Sequence, residues 1–151
     1  MRRIWIAIAV VALVAMPATA SEKTDVMATV RQFVRAFNQG DAKTAAAACA
    51  DETSIIDEFP PHEWHGAGAC SRWMNAYDAD ARKNGITDGR VTLGVPRHID
   101  VTADRAYVVV PTAFLYKQRG KPVRETGSTL TLVLQKGGSG WRIIAWTWTK
   151  H

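Results

Sequence analysis

The sequence predicts an α+β fold in which three N-terminal helices pack on a curved, mainly antiparallel sheet that encloses a pocket. Three observations predict it. Apolar residues recur at helical spacing through the first half of the chain, the period changes to two after Gly85, and Pro111 interrupts an otherwise strong strand. Helical stripes and alternating strands each carry a face that must be buried. A proline inside a strand marks an edge or a bulge, and bulges bend sheets. A sheet bent around helices leaves a hollow.

Residues 1–20, MRRIWIAIAVVALVAMPATA, precede this fold. Arg2 and Arg3 form a positive start, an apolar run follows, and Ala18-Thr19-Ala20 is a small-x-small cleavage site, the pattern of a signal peptide. The run is shorter than the roughly 18 residues that span a bilayer. Cleavage after Ala20 and a periplasmic or secreted location are expected, with no membrane attachment afterwards. One domain, residues 24–151, remains.

The first helix is expected over residues 24–38, where Val26, Val30, Phe33, Val34 and Phe37 make one stripe. Gly40 is its stop. Asp41 offers an N-cap for an alanine-rich second helix over residues 42–50. Residues 53–59 read as a short strand ended by Pro60-Pro61, and residues 62–66 as a loop. The third helix, residues 67–84, carries Cys70, Trp73, Met74, Tyr77 and Ala81 on its stripe and stops at Gly85. Strands follow over residues 90–101, 105–117, 126–136 and 141–150, with a glycine-rich hairpin loop over residues 137–140. The last strand is apolar on both faces, with Trp141, Ile143 and Ala145 opposite Ile144, Trp146 and Trp148. Helices cover only one face of such a sheet, so a homodimer through the outer face is expected.

Composition and motifs exclude several function classes. The formal net charge of +5 falls by two, to +3, when Arg2 and Arg3 leave with the leader. Lys117, Arg119, Lys121 and Arg124 cluster at a hairpin tip without interleaved aromatics, so no nucleic-acid partner is expected. Glycine motifs for phosphates or dinucleotides are missing, as is a nucleophile elbow, so no cofactor is expected. His62, Glu63 and His65 depart from the four-residue histidine spacing of the zinc-protease helix, and no metal site is expected. Cys49 and Cys70 stand open between a disulfide, which export permits, and two buried thiols.

The stretch after Phe37, NQGDAKTAAAACADETSIIDEFPPHEWHG, resembles the opening of the nuclear transport factor 2-like (NTF2-like) superfamily, which includes ketosteroid isomerase and SnoaL-type polyketide cyclases. The Gly40-Asp41 turn, the strand ending in Asp57, the proline loop, Gly66 and the closing Gly140-Trp141-Arg142-Ile143 carry the likeness. The resemblance implies a cone-shaped fold. It also implies that Ile144, Trp146 and Trp148 face the cavity, with Thr112, Phe114 and Tyr116 from one strand and Thr129 and Thr131 from another. Leu130, Leu132 and Leu134 would then face a partner.

The isomerase has a proton-moving carboxylate at the position matched by Asp57. Its oxyanion donors are matched by Phe33, which cannot donate, and Thr129, a weaker donor than an acid. Asp57, with His62 at the cavity mouth, is the candidate catalytic pair. Phe33, Trp64, Tyr77, Thr112, Phe114 and Tyr116, with Thr129, Trp146 and Trp148, are the candidate ligand-binding residues.

Three functions follow. The first is binding of a small, apolar or aromatic organic molecule. The second is a cofactor-free isomerase, cyclase or dehydratase using Asp57 as general base. The third is a dimeric interaction module without a ligand. The leader itself makes a prediction: protein recovered from the export compartment is expected to begin at Ser21, and an intact mass that retains residues 1–20 overturns the cleavage site.

Overall fold

The computed structural model describes residues 18–151. Most of the predicted leader therefore lies outside the described residues. Three helices and seven strands follow one another as α1 (Ala18–Gln39), α2 (Ala42–Ala47), β1 (Cys49–Ile56), β2 (Glu63–Ala67), α3 (Ala69–Asn84), β3 (Ile86–Leu93), β4 (His98–Thr102), β5 (Arg105–Gln118), β6 (Lys121–Gly137) and β7 (Gly140–Thr149). Helix α1 starts upstream of the predicted residue 24. Among the described residues no helix is long and apolar enough to cross a membrane.

The helix signals act where they were read. Val26 and Val30 are fully buried, and Phe33 and Val34 nearly so. Asp41 caps α2 by accepting the Thr44 amide at 3.0 Å. Helix α2 is shorter than expected, because Cys49 and Ala50 already belong to β1. Helix α3 ends at Gly85, whose positive φ of 66° lets its N–H turn back to the last carbonyls. The expected loop over residues 62–66 is instead strand β2, which pairs antiparallel with β1.

The sheet runs β2-β1-β7-β6-β5-β3, with β4 also on β5. All pairs are antiparallel except β1 with β7, which is parallel. The strand expected over residues 90–101 is broken into β3 and β4. Both lie along the same side of β5, and Pro111 sits between their paired segments, where Gly94 N–H reaches its carbonyl at 2.8 Å. A strand residue without an N–H is tolerated at such a gap. The register of β5 with β6 also shifts next to it, between Thr112 and Ala113.

Register shifts overturn two face assignments. In β7 the pairing with β6 slips between Ala145 and Ile143, so Ile144 is the extra residue. An extra residue inverts the alternation beyond it. Trp141, Ile143 and Trp146 are consequently all buried on the concave face, and Ile144 leaves it. In β6 the buried residues are Ser128, Leu130, Leu132 and Leu134. The leucines expected to face a partner thus form the core, while Thr129 and Thr131 stand on the opposite, convex face.

Cys49 and Cys70 form a disulfide with Cα atoms 6.5 Å apart, tying the start of β1 to the start of α3. The loop it closes spans a sequence separation of 21 residues, for which chain-entropy arguments give roughly 3 kcal/mol. Reduction, or Cys70→Ser, is expected to lower unfolding free energy in denaturant by about that amount. An unchanged midpoint with and without reductant would show that this link carries no stability.

Candidate ligand cavity

A cavity of about 390 Å³ opens between the concave sheet face, α1 and α3. Its floor is aromatic. Trp73 of α3 lies edge-on to Trp146 of β7, with ring centroids 4.8 Å apart at 88°, and both rings meet Phe33 of α1 at 5.8–5.9 Å. One turn further along each helix, Tyr77 contacts Phe37 at 4.9 Å. On the sheet side Phe114 stacks on Tyr116 at 4.8 Å, and Trp148 continues the wall from β7. Edge and tilted contacts of this kind orient rings as well as bury them.

Asp57 follows directly on β1 and is 9% exposed. The loop after it is pinned by two backbone bonds, Asp57 N–H to the His62 carbonyl and His62 N–H to the Phe59 carbonyl, each 2.9 Å. The carboxyl accepts the Trp73 indole N–H on Oδ2 at 2.8 Å and the Glu58 amide on Oδ1 at 2.7 Å. Burial outweighs both bonds and pushes its pKa up to about 6. The same burial, helped by the negative charge of Asp57, pushes the Tyr77 hydroxyl up to about 12, so that it stays a proton donor. Tyr77 can approach β3 because position 89 is glycine: a Cβ there would lie 2.7 Å from the Tyr77 hydroxyl and 3.2 Å from the Phe114 ring.

A charged rim closes the other side. Tyr116 donates to Glu125 Oε1 at 2.9 Å, and Lys150 meets Glu125 at 3.1 Å and Glu58 at 3.3 Å. On a regular strand Glu58 would point to the face opposite Asp57. Strand β1 ends at Ile56, the alternation ends with it, and Glu58 joins the lining.

The structure brings Asp57, Phe33, Tyr77, Phe114, Tyr116, Trp146 and Trp148 together around one space. The other candidates lie elsewhere. His62 is exposed and outside the lining, its Nδ1 3.2 Å from the Asp57 carbonyl. Trp64 is buried against Phe59 at 5.1 Å without reaching the cavity. Thr112 is buried with its hydroxyl unpartnered among the described residues, also outside the lining, and Thr129 is on the convex face. Trp73, Glu125 and Lys150 were missed as site residues. Trp73 reads from sequence as one member of a core stripe, and nothing local marks its indole N–H as the partner of a carboxylate. Glu125 and Lys150 read as ordinary surface charges.

A helix-roofed curved sheet with a carboxyl buried at the end of its first strand defines the class of cone-shaped cavity proteins. A family profile described as a SnoaL-like domain matches residues 26–147, and the chain belongs to that family within the NTF2-like superfamily. No curated protein matches the chain in sequence. Among solved structures it is similar to an NTF2-like superfamily protein from Salmonella enterica serovar Typhimurium, at 20% identity over 88% of this chain and 93% of that one, with a TM-score of 0.72. It is also similar to a ketosteroid isomerase-like protein from Erwinia carotovora atroseptica, at 16% identity over 85% and 95%, TM-score 0.67. A third is an NTF2-like protein with a cystatin-like fold from Novosphingobium aromaticivorans, at 13% identity over 87% and 83%, TM-score 0.71. At these identities the likeness establishes the fold.

The raised pKa of Asp57 has a stability consequence with a definite sign. An unfolded aspartate titrates near 3.9, whereas the folded one titrates near 6. Between these values the folded state retains a proton that the unfolded chain has lost. This group's contribution to stability is therefore fullest below about pH 4, falls by about 3 kcal/mol as pH rises to about 6, and is flat above. Asp57→Asn is expected to lack that decline. Parallel stability profiles for the two proteins between pH 4 and 7 would refute the assignment.

Proposed function

We propose that this SnoaL-like protein takes a small organic molecule with an apolar or aromatic body into the cavity. The observation that carries the proposal is the ring-lined wall formed by Phe33, Trp73, Tyr77, Phe114, Trp146 and Trp148 around open space of about 390 Å³. Pockets of a few hundred Å³ with mostly apolar walls and few polar groups suit small ligands. Saturable quenching of tryptophan fluorescence by small aromatic probes such as indole is expected, weakened at least tenfold in Trp146→Ala. A panel of such probes that leaves the emission unchanged would favour the third function, an interaction module.

A second reading is favoured by one specific observation: Asp57 is buried beside the cavity, oriented by Trp73, and titrates within reach of neutral pH. A desolvated carboxylate of this kind can take a proton from carbon, with Tyr77 as the donor that steadies the developing oxyanion. The protein would then be a cofactor-free isomerase or dehydratase. Tyr77 supplies a hydroxyl in the wall that Phe33 and Thr129 do not. Under this reading the protein accelerates deuterium exchange at the acidic carbon of 2-tetralone in D₂O, followed by proton NMR. The rate rises as pH passes about 6, where the base form takes over, and falls roughly 100-fold or more in Asp57→Asn. Equal exchange in the variant would leave binding without catalysis.

The leader supports an export proposal, and a disulfide is in keeping with an oxidising compartment. A homodimer through the convex face remains proposed; Tyr107 is 44% exposed there.

A further inference from the structure

A second hollow runs along α1. This groove, of about 860 Å³, opens where the helix passes β3 and the turn that leads into β4. Its floor is apolar. Met27 and Val34 are nearly buried in it, Leu93 and Pro96 extend it, and Val95 stands 85% exposed at its edge. Among the described residues its ionised groups are three guanidiniums, those of Arg31, Arg35 and Arg90, and no carboxylate joins them. The aromatic cavity has the opposite sign, with Asp57, Glu58, Asp80 and Glu125 against Lys150.

Nothing nearby neutralises the arginines. Arg31 and Arg35 lie one helical turn apart, a spacing at which like charges repel. The other positions three and four residues from them hold Met27, Ala28, Gln32, Val34, Asn38 and Gln39, none of them acidic. The third charge is brought in by a joint. Asn38 bonds both backbone groups of Val91, which pins β3 to the last turn of α1 and holds Arg90 at the groove that Arg35 lines. Asp88, two residues along the strand, is spent on Lys117 at 2.9 Å. No ion pair among the described residues involves Arg31, Arg35 or Arg90, and residues 1–17 contain no Asp or Glu. The fold thus gathers three like charges over an apolar floor and leaves their counter-charge to come from outside.

We propose that this groove is a second ligand site and that it takes a small organic phosphate monoester. A carboxylate has two oxygens and is satisfied by a single guanidinium fork. A phosphate monoester carries three terminal oxygens and a charge of about −1.5 to −2 at neutral pH, so it engages forks from α1 and β3 together. Its organic body lies on Met27, Val34, Leu93 and Pro96 and covers Val95. The aromatic cavity, with its carboxylates, repels the same molecule. The groove site therefore stands whether or not the cavity binds a ligand.

Phenyl phosphate is the probe, titrated into the full protein by calorimetry and followed in proton–nitrogen correlation spectra. It is expected to shift the Nε–H signals of Arg31, Arg35 and Arg90 and to leave in place the indole signals of Trp73 and Trp146, which report on the cavity. Benzoate and inorganic phosphate are each expected to bind at least tenfold more weakly, the first for want of charge and oxygens, the second for want of an apolar body. Arg35→Gln combined with Arg90→Gln is expected to lower phenyl phosphate affinity at least tenfold. Glutamine keeps the helix propensity of arginine, and circular dichroism confirms that the variant is folded. Indole shifts without arginine shifts would place the phosphate in the cavity and overturn the proposal. Benzoate or inorganic phosphate binding as tightly as phenyl phosphate overturns it, as does undiminished binding in the folded double variant. Sedimentation of the protein with phosphatidylglycerol vesicles, without binding of phenyl phosphate, would make the groove a membrane contact and overturn it likewise. The aromatic cavity is tested separately by indole quenching.

Discussion

The constraint on which everything else depends is curvature. A sheet whose strands β5, β6 and β7 must all turn their bulky residues to one side can surround a hollow only if it bends sharply. In this chain the register breaks fall at Gly127 on β6, opposite Thr112 and Ala113, at Ile144 on β7, and between Cys49 and Ser54 where β1 meets β7. A bulge tightens twist and bends its strand. Each break also resets which residues point inward. Trp141 and Ile143 thereby share a face with Trp146 and Trp148, and a strand that reads as apolar on both sides becomes a one-sided wall.

Within that wall the decisive balance is between desolvation and hydrogen bonding at Asp57. The Trp73 indole and the Glu58 amide both favour the charged carboxylate. Burial favours the neutral acid and prevails. The two bonds still matter, because they settle where the carboxyl points. Trp73 in turn is held by Phe33, Phe37 and Trp146, and α3 is tied to β1 by the disulfide. The position of one carboxyl is thus transmitted from the packing of two helices, α1 and α3, and two strands, β1 and β7. Chemistry at such a site is set by a neighbourhood of rings more than by any residue next to it in sequence.

Much of the helical layer was legible because its signals are local. The stripe Val26, Val30, Phe33, Val34, the stop at Gly40, the cap at Asp41 and the stop at Gly85 each act through the few residues around them. Strand existence was legible for the same reason, since alternation needs only neighbours. Facing was not. Leu130, Leu132 and Leu134 alternate with Thr129, Thr131 and Val133, and either set reads as a plausible inner face until the register with β5 is known. Ile144 was misplaced because a bulge leaves no mark in a run of apolar residues. The family likeness located Asp57, Phe114, Tyr116, Trp146 and Trp148, whereas the chain Tyr116–Glu125–Lys150–Glu58 depends on pairing across a hairpin and on the last residues of β7. Those separations carry no local periodicity. Strand β2 was hidden by the prolines before it, since its five residues pair only because β1 lies alongside.

One small contact has a wider effect. Asn38, at the end of α1, donates its side-chain amide to the Val91 carbonyl at 2.8 Å and accepts the Val91 N–H at 2.7 Å. Strand β3 is the last strand on its side of the sheet. Exposed backbone at such a border is a template on which another polypeptide can add itself. A single amide here imitates one residue of a neighbouring strand and occupies both groups that a foreign strand would need at this point. The helix that roofs the hollow thereby also guards the sheet's border against unwanted growth from chain to chain.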